Sequence, residues 1–187
     1  MKKLLIFILL VLSFAGFSFA GTYLNLGADY AFIPNNALFD SGAEKVSYFN
    51  GSVGYAWDFG LLTGLRYDHF GVEDQIAAVR NVRFVSAIPA LELGYNMKFL
   101  EDKLLWWSVI RLGYAVSARL RDNVTDYKAT AFVPAISTAA LYRIHGQFYA
   151  GIEVGYRYFD VKYEELGNAH LNLSGMFTGL TLIHLFN

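Results

Sequence analysis

The chain has 187 residues, the length of one domain, and a net charge of −1. Cysteine is absent, which excludes disulfides, thiol chemistry and cysteine metal sites, and the charge balance is not basic enough to indicate a nucleic-acid partner. Hydrophobic residues make up 55% of the chain and aromatic residues 17%, which is high for a soluble protein and suits strands with one apolar face.

The first twenty residues have the pattern of a secretory signal peptide. Lys2 and Lys3 form a positive start, residues 4–14 are apolar, and Ser18 and Ala20 are the small residues that a signal peptidase recognises. We therefore predict that residues 1–20 are cleaved and that the domain spans residues 21–187, with 13 basic and 16 acidic residues. The alternative, an N-terminal transmembrane helix, is disfavoured because the apolar run is short. No later window offers about 18 consecutive apolar residues, so we predict no further membrane helix.

After residue 20 the side chains alternate between apolar residues and polar or small residues, which is the period of a β-strand. In the clearest case, Phe148, Ile152 and Val154 share one face of residues 148–158, while Glu153 and Arg157 lie on the other. The segment is as long as the roughly 9–11 residues that a membrane-crossing strand needs. The same alternation predicts eight strands, at residues 21–33, 46–57, 61–70, 83–99, 104–118, 128–144, 148–158 and 169–186.

The connections between these strands alternate between long and short. Short turns are predicted at residues 58–60, 100–103 and 145–147, and long polar loops at residues 34–45, 71–82, 121–126 and 160–168. In an antiparallel arrangement all short turns lie at one end and all long loops at the other, as in outer-membrane barrels. The competing fold is a soluble lipocalin-type barrel with an apolar interior. The face opposite the large apolar residues consists mostly of Gly, Ala, Ser, Asn and charged residues, which favours the membrane barrel.

Two features predict local irregularity. Pro89 and Pro134 lie inside the fourth and sixth predicted strands, where each removes a hydrogen-bond donor, so we expect a bulge or a bend near the loop end. In the last predicted strand Leu171, Leu173 and Phe177 share a parity opposite to that of Leu180, Leu182 and Phe186. That change of parity predicts a bulge near Gly175 or Gly179.

Residues 179–186 alternate apolar residues and end in the aromatic Phe186, which Asn187 follows. This segment and the overall pattern of strands and loops resemble the small eight-stranded outer-membrane barrels, the group that contains the OmpA membrane domain, OmpX and OmpW. The resemblance implies an all-β, eight-stranded antiparallel up-and-down transmembrane β-barrel, monomeric, in the outer membrane of a Gram-negative-type bacterium. It also implies contact with outer-membrane lipid and recognition by the outer-membrane assembly machinery through the strand ending at Phe186.

Charged residues on the small-residue face are the candidates for a mechanism. Symmetric pairing about the turn at residues 100–103 places Glu92 opposite Arg111, within reach of each other inside the barrel. The simplest role of such charges is to pair and fill a narrow lumen. The alternative is a low-conductance, gated small-solute pore in which the Glu92–Arg111 pair is the constriction. The predicted lumen charge network consists of Asp29, Arg66, Asp68, Glu92, Lys98, Arg111, Arg143, Glu153 and Arg157.

No group of side chains has the spacing of a catalytic, metal or cofactor site. His170, with Asn172 and Ser174 on the same predicted inward face, is the strongest candidate for catalysis and leaves a lipid-modifying membrane enzyme as a remote alternative. We expect instead a protein that is not an enzyme and that has a structural or surface-interaction role. The long loops carry charged residues through which an extracellular partner could bind: Asp40, Glu44, Asp74, Arg80, Arg121 and Asp126.

Overall fold

A computed structural model describes residues 21–32, 45–76, 80–121 and 125–186, with side chains described except at residues 45–47, 73–76 and 80–82. The predicted signal peptide, most of the first long loop and Asn187 lie outside these residues. In the described part of the chain, no helix has the length and hydropathy needed to span a bilayer. The strands are β1 (Gly21–Phe32), β2 (Lys45–Ala56), β3 (Leu61–Ile76), β4 (Arg80–Phe99), β5 (Leu104–Arg121), β6 (Asp126–His145), β7 (Phe148–Arg157), β8 (Asp160–Tyr163), β9 (Ala169–Asn172) and β10 (Gly175–Phe186).

Eight of these strands form a closed barrel in the order β1-β10-β7-β6-β5-β4-β3-β2, and every neighbouring pair is antiparallel. The remaining strands, β8 and β9, pair only with each other and form a hairpin in the connection between β7 and β10. The predicted eight-stranded antiparallel up-and-down barrel is confirmed. Closure pairs β1 with β10, so every strand of the ring has a hydrogen-bonded neighbour on each side.

The alternation of side chains explains which face of the wall is outside. Along β5, Leu105 and Val109 are buried in the interior, whereas Ile110 and Leu112 point outward. The outer face is covered with large apolar side chains that are about half exposed, such as Leu112 at 52%. An outer face of this kind is stable in lipid and unfavourable in water, which excludes the lipocalin-type arrangement.

The wall is taller on one side of the barrel than the sequence predicts. Strands β3 to β6 contain between 16 and 20 residues, whereas β1, β2, β7 and β10 contain between 10 and 12. The loop predicted at residues 71–82 is wrong, because β3 and β4 pair continuously up to Ile76 and Arg80. Above the membrane a strand can carry polar residues outward while Val72 and Phe84 remain buried inside, so polarity there does not indicate a loop.

The last predicted strand, residues 169–186, consists of two separate elements. Residues 169–172 form β9, and the chain leaves regular pairing before β10 begins at Gly175. Strand β10 then pairs without a register shift on both sides, so the predicted bulge near Gly175 or Gly179 is wrong. The change of parity arises because Leu171 and Leu173 pack in the hairpin and Phe177 points into the barrel, whereas Leu180, Leu182 and Phe186 of β10 point outward. Gly179 instead allows close approach, since a Cβ there would collide with the carboxylate of Asp29.

The two prolines differ in their effect on pairing. The β4–β5 register shifts between Ala87 and Ala90, so the irregularity predicted at Pro89 is confirmed. Pro134 pairs regularly with Leu112, and the β5–β6 register shifts further toward the loop end, between Ala115 and Ala118. In the pairing with β4 and in the pairing with β6, the extra residue lies in β5, so this strand contains a β-bulge. Because of the bulge, Ala118 and not Ser117 points into the interior.

The β8–β9 hairpin covers the loop end of the barrel. Leu173 N–H donates to the carbonyl of Phe159 (2.7 Å), and Tyr158 N–H donates to the carbonyl of Pro134 on β6 (3.0 Å). A 3-10 helix, Glu164–Leu166, connects the two strands and ends at Gly167, whose φ of +67° is left-handed. The hairpin contributes Phe159, Val161, Tyr163, Leu171 and Leu173 to a buried apolar cluster inside the taller wall.

Candidate functional site

Six charged residues meet at mid-height in the barrel interior, and we call them the central charge network. They come from five strands of the wall, and each is at most 7% exposed. The barrel brings them together because each lies on the inward parity of its strand. The predicted pairing of Glu92 with Arg111 is confirmed, since these residues are direct cross-strand partners. The members are Asp29, Arg66, Asp68, Glu92, Arg111 and Glu153.

Arg111 bridges two carboxylates from strands on either side of its own. Its Nε donates to Oε1 of Glu92 at 2.9 Å, and its Nη2 donates to Oε1 of Glu153 on β7. Charge-assisted hydrogen bonds of this kind are about twice as strong as neutral ones. The guanidinium therefore links β4, β5 and β7 across the lumen, which a side chain of ordinary length can do in a barrel this narrow.

Arg66 is the second cation of the network and contacts all four carboxylates. Its Nε donates to Oδ1 of Asp68 at 2.6 Å, and its Nη1 lies 3.4 Å from Oε1 of Glu92. Its Nη2 lies 3.8 Å from Oδ2 of Asp29 and 4.0 Å from Oε2 of Glu153. The two arginines thus share Glu92 and Glu153, and the network is one connected unit.

Neutral polar residues satisfy further atoms of the network. Tyr23 donates its hydroxyl to Oε2 of Glu92 at 3.1 Å, and Asn50 donates to Oδ2 of Asp29 at 2.7 Å. Next to them, Thr181 donates to the side-chain oxygen of Asn25 at 2.6 Å. Buried charges are stable only when paired and hydrogen-bonded, and these contacts extend that pairing around the ring.

Arg157 is buried to the same extent as the network but has different neighbours. Its guanidinium carbon lies 4.1 Å from the ring centroid of Phe70, 4.8 Å from that of Tyr48 and 5.7 Å from that of Phe159. These are cation–π distances. Arg157 Nε and Nη1 have no protein hydrogen-bond partner. The predicted lumen charge Arg157 is therefore inside the barrel, but it belongs to the aromatic layer next to the network.

Two predicted members, Lys98 and Arg143, lie outside the central charge network. Lys98 is half-exposed, with Nζ 3.9 Å from Oδ2 of Asp102 in the adjacent turn. Arg143 donates to the backbone carbonyl of Glu101 at 2.9 Å. The prediction placed them correctly by parity but not by height, because both lie at the turn end, where the inward face meets solvent.

The central charge network lies between two apolar layers. The turn-end layer contains Tyr23 and Trp107, whose rings pack edge to face with centroids 4.9 Å apart. The loop-end layer contains Phe70, Phe84 and Phe159, whose ring centroids lie within 6.0 Å of one another. Other large members include Leu62, Leu105, Leu141, Tyr149 and Ile183 in the turn-end layer and Tyr48, Ile88 and Phe177 in the loop-end layer.

The two layers differ from the prediction, in which the inward face is small and polar throughout. A signal was present near the turns, where both parities are apolar in Leu61-Leu62, Leu104-Leu105 and Trp106-Trp107. A strand that is apolar on both faces is buried on both, and the inner partner of each pair faces the lumen. At the loop end no such signal exists, since several buried members of the layer, Phe159, Val161, Tyr163, Leu171 and Leu173, come from the β8–β9 hairpin.

Some polar atoms around the network have no hydrogen-bond partner in the described structure. They include Nη2 of Arg66, Nη1 of Arg111, Oδ1 of Asp29 and Oδ1 of Asn50. A small polar space lined by several such atoms is the kind of place that holds buried water. The middle of the barrel is therefore polar enough for water, whereas the layers above and below it are not.

His170 does not face the lumen, contrary to the sequence prediction. It lies on the exposed side of the hairpin, with Nδ1 3.1 Å from Oδ2 of Asp160. Ser174 is buried and accepts a hydrogen bond from the backbone N–H of Phe159 at 2.8 Å, and Asn172 accepts one from the N–H of Ser174 at 2.9 Å. These side chains stabilise the hairpin. Among the described residues, no group of three or more acidic or histidine side chains is placed to hold a metal ion.

Known structures resemble this protein in fold, at low sequence identity. No protein-family model and no curated protein sequence matches the chain. Neisserial surface protein A matches with a TM-score of 0.63 at 15% identity, covering 89% of this chain and 99% of that chain. The N-terminal β-barrel domain of Pseudomonas aeruginosa OprF matches with a TM-score of 0.60 at 12% identity, covering 89% of this chain and 97% of that chain. The attachment invasion locus protein Ail of Yersinia pestis matches with a TM-score of 0.54 at 9% identity, covering 90% of this chain and 98% of that chain.

The chain therefore has the fold of the small eight-stranded outer-membrane barrels, and the resemblance expected from its strand pattern is confirmed. At these identities the likeness extends to the fold alone. The roles of individual residues have to be argued from the geometry of this protein.

Proposed function

We propose that this protein is an integral outer-membrane barrel that does not conduct solutes and whose role is structural or surface-interacting, without catalysis. The position of the central charge network between two apolar layers supports this proposal most strongly. Passage of an ion would require a continuous polar path along the axis. Here the path would cross the buried rings of Tyr23 and Trp107 at one end and those of Phe70 and Phe159 at the other.

The pairing inside the network supports the same role. Arg111 and Arg66 both share the carboxylates of Glu92 and Glu153, so moving one side chain leaves several buried charges without a partner. Breaking a buried ion pair in this way costs about 3–5 kcal/mol. The network thus stabilises the barrel as a cross-brace, and gating at the Glu92–Arg111 pair would carry this cost at every opening.

The tall wall of β3 to β6 and the β8–β9 hairpin supply a surface for interaction. Both project from the loop end, which is the outer end in barrels of this fold. Among the matching structures, Ail of Yersinia pestis was solved in complex with the heparin analogue sucrose octasulfate. For the present chain, an extracellular partner at the loop end is part of the proposal.

The second candidate function is a low-conductance pore. The observation in its favour is the polar middle of the lumen, where Arg66 and Arg111 each keep one nitrogen without a hydrogen-bond partner. A rearrangement of the two apolar layers would join this polar space to the solvent. In that case the Glu92–Arg111 pair would control the conductance.

Conductance across a planar bilayer separates the two functions. We expect no steady current from the wild-type barrel or from Glu92→Ala, because both apolar layers remain in that variant. A pore would give discrete openings in the wild type that change with Glu92→Ala and do not change with Glu101→Ala in the exposed turn. Insertion is verified by the shift in gel mobility between unboiled and boiled samples. Steady channels in the verified wild type would contradict the proposed function.

A further inference from the structure

The outer face of β4, β5 and β6 carries four cations near the loop end. We call them the basic patch: Arg83, Arg119, Arg121 and Lys128, all of them exposed. They are far apart in the chain, and the pairing of three neighbouring strands brings them together. The bulge in β5 is part of the reason, since it shifts the parity of the strand and turns Arg119 and Arg121 outward.

The register places like charges directly opposite each other. Arg83 is the cross-strand partner of Arg121, and Arg119 is the cross-strand partner of Lys128. Like charges in this position destabilise a sheet. The four cations thus form two rows across the strands: Arg83 and Arg121 in the upper row, and Arg119 and Lys128 in the lower row. In the upper row the register places an acidic residue at each end, since Glu73 is the cross-strand partner of Arg83 and Asp126 that of Arg121.

The lower row of the patch is the more cationic of the two. Arg119 has Val85 on one side and Lys128 on the other, and its Nε donates to the hydroxyl of Ser117 at 3.1 Å. Counted by their register positions, four basic and two acidic residues leave a net positive charge at this end of β3 to β6. An anion bound between Arg119 and Lys128 would remove the repulsion that the register creates.

The height of the patch relates it to the membrane surface. Tyr114 on β5 and Phe132 on β6 are exposed aromatic residues at the upper edge of the apolar band, where aromatic girdles mark the interface. Arg119 follows Tyr114 by five residues and Lys128 precedes Phe132 by four. With the usual rise and tilt of barrel strands, the patch lies about 10 Å above the girdle. Long basic side chains at that height reach the headgroup level.

We propose that the basic patch binds the phosphate groups of lipids in the outer leaflet of the membrane that surrounds the barrel. The orientation, with the loop end outward, rests on the proposed function. Guanidinium groups bind phosphate through paired hydrogen bonds, and the lysine adds a compact charge. Directly below, the apolar band contacts acyl chains. A phosphorylated lipid satisfies both parts of this face at once, whereas a soluble polyanion satisfies only the upper part.

Titration of the folded barrel with diphosphoryl lipid A in a zwitterionic detergent tests this inference. The variant Arg119→Gln/Arg121→Gln/Lys128→Gln is expected to bind the lipid about 100-fold more weakly at low salt, at roughly fivefold per cation. The matched control Lys98→Gln/Lys103→Gln/Arg143→Gln removes the same charge at the turn end and is expected to bind like the wild type. Removal of both phosphates from the lipid should abolish the difference between the patch variant and the wild type.

Two further ligands separate lipid from other anions. Inorganic phosphate at the lipid's concentration should not compete, because it lacks the acyl chains. Heparin contacts only the upper part of this face, so the patch variant should lose less affinity for heparin than for lipid A. The inference is overturned if the patch variant binds lipid A like the wild type, if both triple variants lose equal affinity, or if the patch variant loses heparin binding alone.

Gel mobility before and after boiling verifies that each variant is folded. If the triple variant does not fold, Arg119→Gln and Lys128→Gln are measured singly, with a fivefold loss expected for each and no loss overturning the inference. The outcome is independent of conductance, since a channel in the wild type would contradict the proposed function without changing lipid affinity.

Discussion

Arg111 and Arg157 are equally buried on the inner wall, at 2% exposure each, yet the two regions around them stabilise a buried cation in different ways. In the central charge network Arg111 is held by carboxylates of β4 and β7. In the loop-end layer Arg157 lies against the faces of Phe70 and Tyr48.

The difference follows from what each height of the barrel can supply. At mid-height the wall strands provide short-range acidic partners on every side, so the charges neutralise one another. At the loop end the β8–β9 hairpin adds Phe159 from above, and the layer is aromatic. A ring face attracts a cation without itself carrying a charge, so the cation can be buried among apolar side chains. The same barrel interior thus contains a paired charge network at mid-height and an aromatic layer at the loop end.

The largest expected effect on the free energy of unfolding comes from removing a shared carboxylate of the central charge network. Glu92→Gln leaves Arg111 and Arg66 with one ionised partner fewer, and we expect the free energy of unfolding to fall by about 3–5 kcal/mol. Urea unfolding in phospholipid vesicles, followed by tryptophan fluorescence, measures this. Glu101→Gln in the exposed turn is the control and should stay within about 0.5 kcal/mol. A loss below about 1 kcal/mol for Glu92→Gln would mean that the network does not brace the barrel.

The cation–π contact of Arg157 can be isolated by a matched pair of substitutions. Phe70→Leu removes ring volume and the ring face 4.1 Å from Arg157, whereas Phe84→Leu removes similar volume in the same layer. We expect the free energy of unfolding to fall by about 2–3 kcal/mol for Phe70→Leu and by about 1–2 kcal/mol for Phe84→Leu. The difference of about 1 kcal/mol is the contribution of the cation–π contact. The same urea unfolding measures both. Equal losses would show that the aromatic faces do not stabilise Arg157.

A smaller effect is expected at the hairpin that completes the loop-end layer. Ser174→Ala leaves the buried N–H of Phe159 without its acceptor, so opening of the hairpin should become easier by about 1–2 kcal/mol. Amide hydrogen exchange at Phe159 measures this opening, with amides of β4 and β5 as internal reference. Thr130→Ala, on the exposed face of β6, should leave the exchange unchanged. Unaltered protection of Phe159 in Ser174→Ala would indicate that the hairpin is held by its apolar contacts alone.

The smallest effect is expected at Lys98, for which the sequence pattern predicts a place in the lumen. Its ion pair with Asp102 is half-exposed, and exposed pairs contribute about 0–1 kcal/mol. We therefore expect Lys98→Gln to change the free energy of unfolding by less than about 0.5 kcal/mol in the urea experiment, with Lys103→Gln as the comparison. A loss as large as that of Glu92→Gln would place Lys98 inside the network after all.

Much of the wall was predictable because it depends on local rules. The period of two identifies strands and their two faces, and a short turn determines how the next strand pairs. The pairing of Glu92 with Arg111 follows from the turn between β4 and β5 in this way. Strand ends were less predictable, because above the membrane a polar residue is compatible with both a strand and a loop. The continuation of β3 to Ile76 is the clearest case.

By itself the sequence determined the strands, the lipid-facing parity and the set of inward charges, because each depends on residues close together in the chain. The tertiary structure alone decided which of those charges meet. Barrel closure brings Asn25 of β1 within hydrogen-bond distance of Thr181 of β10, 156 residues away, and the same closure brings Asp29 to Arg66. The height of a residue on a tilted strand separates Arg157 and Lys98 from the network, and the bulge in β5 assembles the basic patch. Contacts of this kind depend on the geometry of the closed ring, which no local pattern contains.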